Sequence, residues 1–399
     1  MWRPVLTLSI LLALVSTPLG SARLSAQQKT VADYDLKALV IVVNRDSSDV
    51  TLIDPATDAI VKRIPLGEYT NAHMAMLNHD GKKLLISATG RDRFLVVDLV
   101  TGKVEHTVVT GKTPEHFDVS PDGRRAFVGN MEDSTVSVID VHEGRELKRV
   151  TGFFEPHGFS VLPDGSKVYV SSHGAHEVAV LDANGNILKR LAVGNVGRVA
   201  ARDPQRYLSE INGIANPTLT RDGAFAYAAD SDAGELAIID TKTDQIVKKL
   251  KVGSQPWRAY NSPDGRWMLV PNNGDSTVSV IDTAKQKVVA QLNAGPDMTG
   301  INFAAGGSKA YVISRGDSAV YVFDMNGFRL VTRLKIGTDL ALETAATTAD
   351  GAKVYLASST DDAVYVIDAK TDQVTRIANV GRYPWGISIL ASASPNYCH

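Results

Sequence analysis

Cysteine is almost absent: the 399 residues contain one, Cys398. That excludes an intramolecular disulfide framework, a CxxCH haem attachment and any zinc or iron–sulfur site built on several thiolates. An excess of charge of one sign is also missing. Lys and Arg number 42, Asp and Glu 44, and no basic block stands out, which argues against a dedicated nucleic-acid binder. Aromatic residues make up only 7%. One apolar run exists, Val5 to Val15, and it is too short to span a bilayer as a helix. No other stretch approaches transmembrane length. Helical 3.6-residue periodicity of useful length, a nucleophile elbow and a serine triad motif are missing as well. What remains is globular: 44% hydrophobic and 22% charged.

The apolar run sits in an address segment. Arg3 precedes it, and small residues offer cleavage after Ala22 or Ala26. No cysteine follows, so a lipoprotein anchor is not expected. The expected layout is a secretory signal peptide over 1–26, a linker over 27–35, a folded body over 36–390 and a tail over 391–399. The mature chain is then periplasmic or secreted. In an oxidising compartment without a cysteine pair, core burial alone carries stability. Cys398 beside His399 reads as a frayed terminus.

The body is one motif repeated. An apolar-apolar-Asp signature ends at Asp54, Asp98, Asp140, Asp182, Asp240, Asp282, Asp324 and Asp368, at spacings of 44, 42, 42, 58, 42, 42 and 44. A turn glycine recurs at Gly81, Gly123, Gly165, Gly223, Gly265, Gly307 and Gly351, with spacings of 42, 42, 58, 42, 42 and 44. Both markers carry the same 16-residue excess in the fifth unit. Each unit reads as four short strands with alternating apolar residues and Pro-Asp-Gly or Glu-Gly turns. Four antiparallel strands per unit of about 42 residues is the pattern of a propeller blade.

Eight Asp signatures but seven turn glycines mean that one blade is split. The first unit begins at its second strand, residues 36–44. Residues 383–390 read as an inner strand with nothing after it. The expected fold is therefore all-β: an eight-bladed β-propeller of four-stranded antiparallel blades, its first blade closed by the C-terminal strand. Closure removes the open edge that a linear array would expose. A seven-bladed ring is the alternative, if one unit is displaced.

Counting eight residues back from each turn glycine reaches the opposite, top face of the ring. The residues there are His73, Glu115, His157, Ala215, Trp257, Thr299 and Glu343, with Trp385 on the closing strand. Neighbouring top loops add His116, Arg91, Arg93, His173 and His176. The long fifth unit adds a connection with Arg198, Arg202, Arg206 and Tyr207, read as a flap over the mouth. Five of nine histidines thus fall on one sector of one face. Neutral imidazoles suit copper, zinc or iron, and a carboxylate can complete the shell. His73, Glu115, His116, His157, His173 and His176 are the candidate metal ligands. Trp257, Trp385 and the three arginines of the long connection are candidate ligand contacts. His157 with Glu343 is the candidate catalytic pair.

The units resemble the YVTN-type propeller repeat in SPDGRRAFVGN at 120–130, PDGSKVYVSS at 163–172, STVSVID at 134–140 and 276–282, and the unit-ending Gly194, Gly253 and Gly337. An exported eight-bladed ring is also similar to the d-type haem domain of dissimilatory nitrite reductases and related haem-maturation proteins. That resemblance implies a haem-type tetrapyrrole in the channel mouth, with histidine ligands and arginines on its acidic side chains. The ring itself hosts many functions. Three readings stay open: a site for a ligand, transition metal or tetrapyrrole, with a redox role; a metal-assisted hydrolase or lyase of the lactonase type; and a non-catalytic scaffold for a periplasmic or envelope protein partner. In the last, the acidic loops at 45–49, 230–232 and 360–362 would be exposed to the partner.

Overall fold

The computed structural model describes residues 29–194 and 213–392. The signal segment with its two cleavage points, Cys398, and Arg198, Arg202, Arg206 and Tyr207 lie outside the described residues. Eight four-stranded antiparallel sheets form the ring, and no seven-bladed count fits them. The first blade is assembled from both ends of the chain. Its strands are Val40–Asn44, Asp49–Asp54, Ala59–Pro65 and, innermost, Pro384–Ser388. The pairing joins Ile41 to Ser388, Val42 to Ile387 and Val43 to Gly386. Strand starts are later than expected at the N-terminal side, because Leu36 to Leu39 form a turn into the ring. The linker is not slack: Val31 is buried in the first blade's core and Tyr34 packs against it.

Both sequence markers have a physical reason. The Asp of the apolar-apolar-Asp signature ends the third strand and accepts from the turn behind it. Asp140 Oδ1 accepts from the His142 and Glu143 amides at 3.0 and 2.8 Å, and Asp240 Oδ1 from Lys242 and Thr243 at 3.0 and 2.8 Å. This Asx-type turn leads into an outer strand that pairs with a bulge in blade after blade. The turn glycine needs a left-handed backbone. Gly123 has φ +71°, and a Cβ there would come within 2.6 Å of Asn78 Oδ1 in the neighbouring blade.

Burial grades outward. The second and third strands are buried almost throughout, as in Lys167–Ser172 and Thr135–Asp140. The outer strands, such as Gln245–Lys251, alternate exposed and covered residues. Their lysines and arginines guard the free edge. Each of the eight blade-to-blade interfaces holds its own buried apolar cluster. At roughly 1.5–3 kcal/mol for each large apolar side chain covered, these interfaces dominate stability.

Buried tyrosines need partners for their hydroxyls, and a repeated staple supplies them. Tyr169 and Lys167 reach Asp244, Tyr311 and Lys309 reach Asp372, and Tyr355 and Lys353 reach Asp58, each in the next blade. The last staple ties the eighth blade to the first across the closure. Among the described residues, no helix is long and apolar enough to cross a membrane. We predict that Tyr355→Phe lowers unfolding stability by about 1 kcal/mol, the net value of a buried hydrogen bond. Denaturant titration should show a shifted midpoint at unchanged slope.

Candidate functional site at the channel mouth

The inner strands do not run straight to the mouth. In six blades they bulge at the position eight residues before the turn glycine or at its equivalent. Pro114 pairs with Asn130 and Phe117 with Val128, so Glu115 and His116 stand opposite the single residue Gly129. The same shift frees His73 in the second blade, His157 in the fourth, Thr299 in the seventh, Glu343 in the eighth and Trp385 in the first. A regular strand would send Glu115 and His116 to opposite faces; the bulge lets both line one cavity. Hydroxyls of the adjacent strands take up amides there: Met74 N–H donates to Ser87 Oγ at 3.2 Å and Gly158 N–H to Ser171 Oγ at 2.9 Å.

The result is a cavity of about 450 Å³ lined by His73, Glu115, His116, His157, His173, Trp257, Thr299 and Trp385. Four imidazoles touch in sequence. Ring centroids are 4.8 Å apart for His73 and His116, 4.0 Å for His116 and His157, and 5.3 Å for His157 and His173. An indole closes each end: Trp385 lies 5.7 Å from His73, and Trp257 lies 5.6 Å from His173. Arg45 lies over Trp385 at 4.7 Å, and Tyr383 stacks on the same indole. Beneath the mouth, a second cavity of about 330 Å³ shares His116 and His157 and is lined below by Asp118, Asn216, Arg258 and Asn261.

Contacts and burial act on three of these groups. His157 Nδ1 lies 2.8 Å from the Ala215 carbonyl oxygen, which only accepts. Nδ1 is therefore the donor in this contact. Burial pulls the His173 imidazole down to about 4, against the charge of Asp232. Asp118 is pushed up to about 6 by burial, although the Val161 and Val119 amides donate to it.

Several expected site residues stand elsewhere. His176 is not a mouth residue. Its ring bridges Asp230 Oδ1 at 2.9 Å and Asp232 Oδ2 at 3.2 Å, at the junction of the fourth and fifth blades. Glu343 is buried outside the cavity lining, where it accepts from Ser359 Oγ at 2.7 Å and faces Arg315 at 3.3 Å. Burial still raises its carboxyl above the ordinary value. Arg91 donates to the Glu68 carbonyl and covers Tyr69, and Arg93 donates to the Asp92 carbonyl. Ala215 is buried and contributes its carbonyl. The loops expected to be exposed and acidic are partly inside: Asp49 and Asp230 are buried.

Sequence reasoning missed Met131, Asn273, Asp297, Met298 and Arg315, which also line the mouth. A signal for three of them was present. Met131, Asn273 and Arg315 stand eight residues after a turn glycine, as His173 does. Hairpin symmetry brings positions eight before and eight after that turn to the same height.

The YNCE-like beta-propeller family model matches residues 106–395. The chain belongs to that family. A second model, the cytochrome D1 heme domain, matches residues 34–153, the span that holds His73, Glu115 and His116. No curated protein matches the chain. Among solved structures it is similar to the dihydro-heme d1 dehydrogenase NirN in complex with DHE, with TM-score 0.73 and 19% identity over 90% of this chain and 76% of that one. It is also similar to hydrazine synthase of Kuenenia stuttgartiensis, with TM-score 0.54 and 21% identity over 78% of this chain and 96% of that one. A functionally unknown protein from Desulfotomaculum acetoxidans gives TM-score 0.56 and 14% identity over 88% and 98%. At these identities the shared property is the fold.

The His173 state has a consequence for this YNCE-like ring. The unfolded chain takes up a proton on this imidazole near its ordinary 6.5, and the folded chain only near 4. Between those values the folded form binds fewer protons, so stability falls as pH drops through that window, by up to about 3 kcal/mol. His173→Gln removes this contribution. Denaturant midpoints at pH 4.5 and pH 7 should differ less for the variant than for the wild type.

Proposed function

We propose that the channel mouth holds a haem-type tetrapyrrole and serves a redox role. The observation that carries this reading is His157. Its Nδ1 is committed to a backbone carbonyl, which leaves Nε2 as the nitrogen that would meet a metal in this histidine-lined cavity. A metal-binding imidazole is commonly held by this same second interaction, which fixes the tautomer and raises basicity. The cytochrome D1 heme domain match over the first blades and the likeness to a d1-haem protein support the same reading.

The donor set and surroundings fit such a group. The cavity, about 450 Å³, has the size of an ordinary small-molecule site and is walled mainly by apolar and aromatic surface. His157 would hold the metal of such a group. Trp257 and Trp385 would pack against it and exclude water. His173, held neutral by burial, adds no positive charge beside a metal centre. Arg45, which lies over Trp385, would meet an acidic side chain of the group. Bound there, the group would supply electron transfer and an open coordination position. The leader-like segment at 1–26 supports export of this site to the periplasm or beyond.

Haemin titration of the full chain tests the proposal. A Soret shift saturating at one equivalent is expected, and His157→Ala should bind at least tenfold more weakly with the ring still folded by circular dichroism. Equal binding by wild type and His157→Ala would overturn the assignment of the donor.

A further inference from the structure

Three donors share the mouth with His157, and His116 lies against its ring. His73 and His116 are buried, Glu115 is half-buried, and one ligand atom from each lies within 4.8 Å of the others. The two imidazoles meet edge to face, with an interplanar angle of 87°. Their backbone positions are held by two neighbouring bulges, in the second and third blades. This is a constructed feature of the fold, because unbulged strands would not bring Glu115 and His116 to one side.

We infer that His73, Glu115 and His116 form a binding site for a divalent transition-metal ion of the zinc and copper class. The chemistry of the donors selects that class. Two imidazole nitrogens and one carboxylate oxygen suit a borderline ion, whereas calcium and magnesium require an oxygen shell. Three protein donors leave a fourth position for water or substrate, the pattern of a reactive rather than a purely structural zinc site. Donors at 2.0–2.2 Å from a tetrahedral ion stand roughly 3.3–3.6 Å apart, so atoms now within 4.8 Å need to close by up to about 1.5 Å. The inference goes beyond the tetrapyrrole proposal and does not depend on it: this site uses other residues and needs no macrocycle.

The experiment is a titration of the full-length, tetrapyrrole-free chain with Zn(II), followed by competition with a chromophoric chelator, and with Co(II) followed by its visible bands. One equivalent should bind, and Co(II) should give the intense bands of a low-coordinate site. His73→Ala and His116→Ala should each weaken Zn(II) at least 100-fold. Glu115→Gln, a near-isosteric change at a half-buried position, should weaken it at least tenfold while leaving the circular dichroism unchanged. His157→Ala should keep Zn(II) within threefold while losing haemin. Zn(II) binding that survives both His116→Ala and Glu115→Gln, or no stoichiometric binding by the wild type, overturns the site. Loss of Zn(II) in His157→Ala with retention in Glu115→Gln would do so too. Haemin binding without Zn(II) binding would defeat this inference alone.

Discussion

Pairing of Val40–Asn44 with Pro384–Ser388 joins the two ends of the chain, and the geometry of the ring follows from that contact. An open array of blades would leave a bare strand edge at each end and would have no common axis. Closure makes every blade face meet a neighbour, so each interface can bury an apolar cluster. It also makes the inner strands converge. Convergence brings side chains from blades far apart in sequence, such as His73 and Trp385, within one contact distance. The Tyr355, Lys353 and Asp58 staple reinforces the same junction from the outer side.

A ring of this kind needs no polar mouth for stability. The blade interfaces already supply the buried area, and four imidazoles in line are a poor use of a desolvated position. The proposed chemistry at the mouth would give them a role that the fold does not. The repeated bulge is the device that permits it. By inserting one residue at the same height in six inner strands, it releases a side chain per blade from the sheet's alternation. The same backbone therefore presents histidine, glutamate, threonine or tryptophan there without disturbing the ladder below. On the two proposals above, the mouth would hold two neighbouring donor sets: His157, whose Nδ1 meets the Ala215 carbonyl, and the His73, Glu115 and His116 group beside it.

The spacing of Asp and glycine markers made blade number, closure and mouth height legible, because each marker performs a local job. Asp140 caps the turn that follows it, and Gly123 holds a left-handed turn pressed against Asn78; both act within a few residues of their own position. Counting from such anchors places a residue along the axis. It does not say which way the side chain leaves the strand or what the next blade offers it. His176 sits at the right height, yet Asp230 and Asp232 of the fifth blade capture it. Glu343 sits on the right ring, yet Ser359 and Arg315 engage it. Both outcomes depend on partners far away in sequence, and no local pattern encodes them.

Sequence alone thus determined the repeat, the eight blades and the face on which the histidines gather, since each of these follows from hydrogen bonds and backbone angles inside single hairpins. Tertiary structure decided which histidines share a cavity, which nitrogen of His157 carries the proton and which carboxylates are already engaged. Those are properties of contacts between blades, and they exist only once closure has fixed every inner strand against the same axis.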